Sequence, residues 1–179
     1  MAKIKESIFQ ALRLLAICLL VIYVFIGHRY RVTYNSGDSM APTISDGECV
    51  FVEKKDSLPK DWVPDKYDIV IIKEDGLNEN LCKRVMGLPG DIIEIKEGYI
   101  FVNERKIKNL FGKGRISYYL TDQDDKDLYY WGTEERVIRY VSQNRITIPE
   151  GYVWVIGDDR NLSWFGMLPI KNIKGLVIF

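Results

Sequence analysis

Residues 37–44 read GDSMAPTI and open the strand-rich part of the chain, ten residues beyond an apolar run of membrane length. Pro42 removes a backbone hydrogen-bond donor and favours an extended conformation at Ala41, and Gly37 permits a tight backbone approach before the serine. The stretch is therefore a poor helix former. It predicts either a turn at the mouth of a β-domain or the site of a reactive Ser39, and the choice depends on a partner for that serine.

The apolar run upstream covers residues 8–27, which contain a single charge, Arg13. Twenty helical residues span about 30 Å, the thickness of the hydrocarbon core of a bilayer. A cleaved signal peptide has a shorter apolar region followed by small residues, and residues 25–29 (FIGHR) provide no such site. We therefore expect an uncleaved transmembrane anchor over residues 8–27, preceded by a cytoplasmic N-terminus of residues 1–7.

Beyond the anchor, the pattern is typical of β-structure. Short apolar or β-branched runs alternate with turns that contain glycine or proline, for example at residues 67–73 and 92–103. Residues 105–143 differ, because basic residues are followed there by an acidic, tyrosine-rich patch. We predict a mainly β fold, with an antiparallel β-sheet domain formed by residues 28–104 and 144–179 and a small inserted subdomain at residues 105–143.

Composition limits the classes of function. Lys+Arg and Asp+Glu number 25 each, so no nucleic-acid-binding surface is indicated. The three cysteines lack metal-binding spacing, and we expect neither a metal nor a cofactor. Cys49 and Cys82 either form a disulfide or remain as two buried thiols. The single histidine, His28, ends the apolar run, which is a poor position for the base of a Ser-His-Asp site.

A lysine can replace the histidine if burial lowers its pKa enough to leave it neutral. Lys83 is the best candidate, because it lies within the strand-like run LCKRVMG at residues 81–87. Side chains alternate along a strand, so either Lys83 or Arg84 must face the apolar side or a cleft. An ordinary solvated lysine fits the same run, and the residues alone leave both readings open.

Four stretches, taken in order, resemble the motifs of the type I signal peptidase family of membrane-bound serine proteases. They are SMAPT at residues 39–43, YDIV at 67–70, KRVMGLPGD at 83–91 and PEGYVWVIGDDRNLS at 149–163. The first is weak alone, because LexA-like self-cleaving repressors share something close to it, whereas the lysine run is specific. The resemblance implies a signal-peptidase/LexA-like β fold that removes signal peptides from exported preproteins after small residues, in an Ala-x-Ala-like pattern.

The resemblance also implies a role for individual residues. Ser39 is the nucleophile and Lys83 the general base of a reaction that passes through an acyl-enzyme. The Ser39 backbone N–H binds the oxyanion, and a second donor must come from elsewhere because position 37 is glycine. Ser163 matches the serine that orients the lysine amine, and Met40 helps to shape the pocket for the residue before the cleaved bond.

The chain departs from the family pattern at the end of the last motif. The motif normally continues as Ser-x-Asp-Ser-Arg, whereas Phe165 and Met167 stand here in place of the acid and the arginine. Loss of both charges is easier to accommodate than loss of one, because a lone buried charge is costly. The change bears on the environment of Arg84 and on the range of substrates.

Two other functions remain open, namely a specialised relative such as a conjugative pilin-maturation peptidase and an inactive membrane-anchored β-module that binds peptides. The anchor and the lack of a helical DNA-binding domain disfavour a repressor. We expect preprotein signal peptides and the lipid bilayer as partners, no nucleic acid, and a monomeric chain. The expected location is the bacterial cell membrane, with one span and the catalytic domain on the extracytoplasmic side.

Overall fold

The computed structural model describes residues 2–73, 80–107, 111–116, 145–163 and 165–178. Within these ranges the chain forms one long N-terminal helix followed by strands in two antiparallel sheets. The predicted mainly β fold with a single N-terminal helix is confirmed. Most of the predicted insertion at residues 105–143 lies outside the described residues.

Helix α1 spans Ala2–Arg29 and is longer than the apolar run that predicts it. Its segment Lys5–Arg29 is long and apolar enough to cross a membrane. All side chains of that segment are exposed. Large apolar side chains in water are unfavourable, and a bilayer is the environment that would bury this surface without help from the β-domain.

The last turn of α1 is tied to the β-domain. The Lys54 Nζ donates a hydrogen bond to the Gly27 carbonyl oxygen at 2.6 Å. Arg29 pairs with Glu53, with 2.7 Å between Nη2 and Oε1. The bond from Lys54 satisfies the Gly27 carbonyl, one of those that a helix C-terminus leaves without an intrahelical partner. The Arg29–Glu53 ion pair lies beside this helix end.

Eleven strands follow in the described part of the chain. Seven of them form one sheet in the order β1-β2-β11-β3-β4-β9-β10, and four form a second sheet in the order β7-β6-β5-β8. The bounds are β1 (Tyr30–Tyr34), β2 (Cys49–Lys54), β3 (Ile69–Lys73), β4 (Asn80–Gly87), β5 (Ile92–Lys96), β6 (Tyr99–Val102), β7 (Arg105–Lys106), β8 (Arg145–Thr147), β9 (Tyr152–Ile156), β10 (Phe165–Pro169) and β11 (Ile173–Ile178). The 3₁₀ turns Lys55–Ser57 and Ile170–Asn172 follow β2 and β10.

Strand β3 is central to the larger sheet and is buried on both faces. Ile69 and Ile71 pack in one hydrophobic cluster. Val70 and Ile72 pack in another on the opposite face. Successive side chains of a strand point to opposite faces, so a continuous β-branched run fits a strand that is covered on both sides.

The smaller sheet packs on the larger one through a third cluster, which includes Ile93, Trp154 and Met167. The β5–β6 hairpin turns at Glu97 and Gly98, both with positive φ. Residues 111–116 return to this sheet, where the Ile116 N–H donates to the Gly98 carbonyl at 3.0 Å. Residues 111–116 are therefore part of the packing around the β-domain.

The cysteines are free thiols in this structure. Cys49 lies on β2 and Cys82 on β4, and strands β11 and β3 lie between them. Three inter-strand spacings put the two residues at least about 14 Å apart, well beyond the reach of a disulfide. Of the two thiols expected to be buried, Cys82 is buried and Cys49 is exposed.

We expect Gly175→Ala to destabilise the β-domain. A Cβ at this position would lie 2.4 Å from Val52 Cγ1 and 2.6 Å from the Glu53 carbonyl oxygen. The backbone of β2 cannot move away without disturbing its pairing with β1 and β11. The free energy of unfolding should fall by about 1–3 kcal/mol, measured by urea denaturation of the full chain in detergent.

Gly87→Ala is the matched control for that measurement. Its Cβ would meet the flexible ends of Ile148 and Ile93 at 2.4 and 2.7 Å. Side-chain ends can rotate away, so we expect a smaller loss of stability than at Gly175. Equal losses at the two glycines would show that the close approach of β11 to β2 is not a tight constraint.

Candidate active site

Ser39 lies in the loop between β1 and β2, which hydrogen bonds hold in a fixed shape. The Asn35 amide Nδ2 donates to the carbonyl oxygens of Gly37 and Ser45 at 2.9 and 3.0 Å. The Gly37 N–H donates to Asp46 Oδ1 at 2.7 Å. Gly37 has φ +83°, a conformation that favours glycine. The loop therefore presents Ser39 from a well-defined backbone.

Apolar side chains anchor the loop from below. Met40 and Ile44 are fully buried and pack with Val50, Val52 and other residues of one core cluster. Ser39 beside them is partly exposed, so an external peptide can reach it. Met40 has no exposed surface in this structure, and its role in a substrate pocket stays a prediction.

Lys83 points at Ser39 from strand β4. Its Nζ donates a hydrogen bond to Ser39 Oγ at 2.8 Å, across 44 residues of sequence. The side chain is only 4% exposed. Burial lowers the pKa of Lys83 to about 8, although the nearby Asp158 carboxylate acts in the opposite direction. A hydroxyl bonded to a buried amine that can lose its proton is an arrangement suited to nucleophilic attack.

Arg84 is buried as well, and its charge is balanced by Asp158. The guanidinium binds the carboxylate through Nε to Oδ1 at 2.8 Å and Nη2 to Oδ2 at 2.5 Å. Thr43 Oγ1 also donates to Asp158 Oδ2 at 2.5 Å, and Arg84 Nη1 donates to the Tyr67 carbonyl at 2.8 Å. Both Lys83 and Arg84 therefore face buried surroundings, whereas the sequence required this of only one of them.

The turn after β9 packs against the main chain of Ser39. The Asp159 N–H donates to the Ser39 carbonyl at 3.0 Å, and Ser163 Oγ accepts from the Gly157 N–H at 2.6 Å. A Cβ on Gly157 would lie 2.2 Å from the Ser39 carbonyl oxygen and 2.4 Å from Ser163 Oγ. Ser163 thus belongs to the site, and its role in orienting Lys83 stays a prediction.

The Ser39 N–H is available for a ligand. In the part of the chain that the structure describes, no group accepts a hydrogen bond from it. A free backbone donor beside the nucleophile can stabilise an oxyanion. The free N–H is what the predicted oxyanion donor requires, and that role stays a prediction.

Sequence reasoning assigned no role to several residues that support the site. Asp158 pairs with Arg84, and Arg160 donates to the carbonyls of Gly157 and Phe111. The Phe111 ring lies under the Arg84 guanidinium at 4.5 Å. The signal for Asp158 and Arg160 was the charged turn GDDR directly after an apolar strand. Phe111 had no such signal, because it lies in a segment of irregular composition.

The two departures from the family motif lie on β10. Met167 is 5% exposed and packs in the hydrophobic cluster between the sheets. The backbone of Phe165 pairs with Ile156 of β9, where the register is regular. Arg84 does not lack a carboxylate partner, because Asp158 supplies one. No cluster of three or more metal-binding side chains occurs among the described residues.

The chain is similar to several known proteins. Residues 4–179 match the family described as "Signal peptidase, peptidase S26". Signal peptidase I of Bacillus caldolyticus is 31% identical over 169 residues, which cover 92% of this chain and 85% of that protein. Signal peptidase I of Streptococcus pneumoniae serotype 4 is 29% identical over 160 residues, with coverages of 78% and 76%. A crystal structure of a signal peptidase I from Enterococcus faecalis V583 is 20% identical, has a TM-score of 0.41, and covers 65% of this chain and 98% of that chain.

The chain belongs to the signal peptidase family, peptidase family S26, which confirms the resemblance read from its motifs. It is a serine endopeptidase, and the activity of the family is the removal of signal peptides.

We expect Asp158→Asn to unfold the site, because it leaves the buried Arg84 without its counter-charge. Arg84 is 5% exposed and Asp158 is fully buried. Removing one partner of a buried ion pair costs about 3–5 kcal/mol. The fall in the free energy of unfolding can be measured by urea denaturation in detergent.

Glu104→Gln provides the matched control, since it breaks the exposed pair between Glu104 and Arg145. Exposed pairs contribute about 0–1 kcal/mol, so this variant should unfold almost as the parent does. A loss at Asp158 no larger than that at Glu104 would contradict a structural role for the buried pair.

Proposed function

We propose that the protein cleaves signal peptides from exported preproteins through a Ser39–Lys83 dyad, after small residues in an Ala-x-Ala-like pattern. The observation that carries this proposal is the 2.8 Å hydrogen bond between Lys83 Nζ and Ser39 Oγ. A base must lie within about 2.6–3.2 Å of the proton donor that it serves. The lowered pKa of Lys83, about 8, makes the neutral amine accessible near physiological pH.

The reaction proceeds in two stages. Neutral Lys83 accepts the Ser39 hydroxyl proton while Oγ attacks the scissile carbonyl, and the resulting ammonium then protonates the leaving amine. This leaves an acyl-enzyme ester on Ser39. Lys83 next takes a proton from water, whose oxygen attacks the ester and releases the new carboxyl terminus. Ser39 Oγ recovers its proton and the free enzyme is restored.

Three further groups complete the proposed site. The Ser39 N–H, which has no acceptor among the described residues, binds the oxyanion of the tetrahedral intermediate. Ser163, packed against Gly157, orients the Lys83 amine. Met40, which is fully buried beneath the loop, supports from below the pocket for the residue before the cleaved bond.

The apolar helix determines where the reaction occurs. We propose that Lys5–Arg29 crosses the bacterial cell membrane once, with the N-terminus in the cytoplasm and the β-domain on the extracytoplasmic side. Residues 30–38 then hold Ser39 close to the bilayer surface, where a membrane-embedded signal peptide presents its cleavage site. The substrate binds extended, as an added strand beside the cleft, and the chain acts as a monomer.

An inactive peptide-binding module is the alternative that the geometry disfavours. Such a module does not require a buried lysine that donates to a partly exposed serine, and burial of an amine is unfavourable unless another interaction or a function compensates for it. A specialised peptidase, such as a pilin-maturation enzyme, would share the same dyad. The two peptidases differ in substrate, so a panel of preproteins separates them.

We expect Ser39→Ala and Lys83→Met each to abolish cleavage of a preprotein by the detergent-solubilised chain. General-base catalysis contributes about 10²–10⁴-fold, so the Lys83 variant should lose at least a hundredfold in kcat/KM. Lys83→Arg keeps the positive charge but cannot lose its proton. It should be as inactive as Lys83→Met, which separates a base from a merely electrostatic role.

Lys96→Met is the control, because Lys96 is an exposed lysine on the smaller sheet. It should cleave as the parent does. Cleavage that survives in Ser39→Ala or Lys83→Met would refute the dyad, and a parent chain that cleaves no preprotein would favour the inactive module.

The pH dependence of cleavage should report the ionisation of Lys83. The folded pKa of about 8 lies below the ordinary value of 10.5, so the active neutral amine is the minor form at pH 7 and predominates above pH 8. We expect kcat/KM to rise about tenfold per pH unit below pH 8 and then to level off. A profile that is flat between pH 6 and 9 would exclude Lys83 as the base.

A further inference from the structure

A basic and aromatic pocket lies apart from the dyad, between the loop that follows β2 and the turn that joins β10 to β11. It is open to solvent and has a volume of about 640 Å³. The residues of its lining that matter here are Lys55, Lys60, Asp61, Trp62, Tyr152 and Lys171. None of them belongs to the candidate active site.

The charges around this pocket favour an anion. Three lysines line it against a single carboxylate, Asp61. Lys60 and Lys171 are exposed, and neither makes an ion pair with any residue that the structure describes. A concave surface with an excess of ammonium groups attracts a phosphate, to which each lysine donates strong charge-assisted hydrogen bonds.

The aromatic wall of the pocket is fixed in place. Lys55 Nζ donates to the Trp62 carbonyl at 3.2 Å and lies 4.3 Å from the centroid of the Trp62 ring. Trp62 and Tyr152 present rings that are partly buried. Such amphipathic rings suit the boundary between water and lipid, where one end is wet and the other is apolar. A ligand with a phosphate next to an apolar portion matches both sides of the pocket.

The pocket adjoins the end of the membrane helix. Lys54 Nζ donates to the Gly27 carbonyl at 2.6 Å, and Ser57 Oγ donates to the His28 carbonyl at 3.5 Å. Lys55 lies between these two residues in the chain and lines the pocket. Gly27 and His28 belong to the last turn of the apolar span. With α1 across a bilayer, Lys55 therefore lies at the level of the lipid headgroups.

We propose that this pocket binds the phosphate headgroup of an anionic phospholipid at the membrane surface from which α1 emerges. Lys60 and Lys171 hold the phosphate, and Trp62 and Tyr152 contact the apolar chains of the same lipid. A lipid bound there fixes the orientation of the β-domain on the bilayer, and with it the height of Ser39 above the surface. The binding does not depend on the chemistry of the dyad.

The test uses the purified full chain in a neutral detergent. It is titrated with short-chain phosphatidylglycerol, short-chain phosphatidylcholine and inorganic phosphate, and bound ligand is counted by native mass spectrometry. We expect phosphatidylglycerol to bind at least tenfold more tightly than either of the others. Each lysine near an anionic lipid contributes about a fivefold factor in affinity, so Lys60→Gln with Lys171→Gln should weaken phosphatidylglycerol binding about 25-fold.

Two matched double variants distinguish binding at this pocket from non-specific attraction of an anionic lipid to any basic surface. Lys60→Arg with Lys171→Arg keeps both charges and should keep most of the affinity. Lys96→Gln with Lys106→Gln removes the same charge from the smaller sheet and should leave the affinity unchanged. Thermal unfolding of every variant checks that each is folded. This is expected because the four substituted lysines, Lys60, Lys96, Lys106 and Lys171, are all exposed, and the half-buried Lys55 is left intact.

Three results would overturn the proposal. Equal affinity for phosphatidylglycerol and phosphatidylcholine would show that the site does not select an anionic headgroup. Equal losses of affinity in the two glutamine double variants would show that the lipid does not bind at this pocket. Inorganic phosphate binding as tightly as phosphatidylglycerol would show that the pocket takes a free anion and that the lipid is not its occupant.

Discussion

Burial of the Lys83 amine is the constraint on which the site depends, because it makes the neutral form of the amine accessible. The same buried surroundings also enclose the neighbouring Arg84, whose charge must then be compensated. Lys83 and Arg84 are adjacent on β4, and both are withdrawn from water. An arginine cannot lose its proton in a protein, so its charge requires a partner. Asp158 binds Arg84 through two hydrogen bonds. The carboxylate is thereby engaged with Arg84, while Lys83 donates to Ser39.

Close packing between the main chain at Ser39 and the turn after β9 also fixes the position of the nucleophile. The Ser39 carbonyl accepts from the Asp159 N–H, and Gly157 leaves no room for a Cβ beside that carbonyl and Ser163. The loop that carries Ser39 and the turn after β9 are therefore fixed relative to each other. Phe111 adds further contacts, because its ring packs on the Arg84 guanidinium and its carbonyl accepts a hydrogen bond from Arg160. Such positioning matters for catalysis, because a misplacement of about 1 Å can lower the rate about a hundredfold.

Much of this protein follows from local patterns in its sequence. A twenty-residue apolar run predicts the helix, and β-branched runs bounded by glycine and proline predict the strands, because periodicity and turn chemistry are local properties. The sequence also suggested the pair of Ser39 and Lys83. His28 is poorly placed to act as a base, which favours a lysine, and the motif around Lys83 is specific to the family. The expected burial of Cys49 was wrong. An apolar pattern does not tell which face of β2 is covered by the rest of the domain.

The sequence by itself predicted the apolar N-terminal helix and the β class, and the resemblance of its motifs to a known family pointed to Ser39 and Lys83 together. Only the tertiary structure decided how that pair is supported. Arg84 and Asp158 are 74 residues apart, and no local pattern reveals which buried charges meet across such a distance. The same is true of Met40, which packs wholly inside the core. Compensation of a buried charge depends on long-range contacts, because its free energy is set by the groups that the fold brings around it.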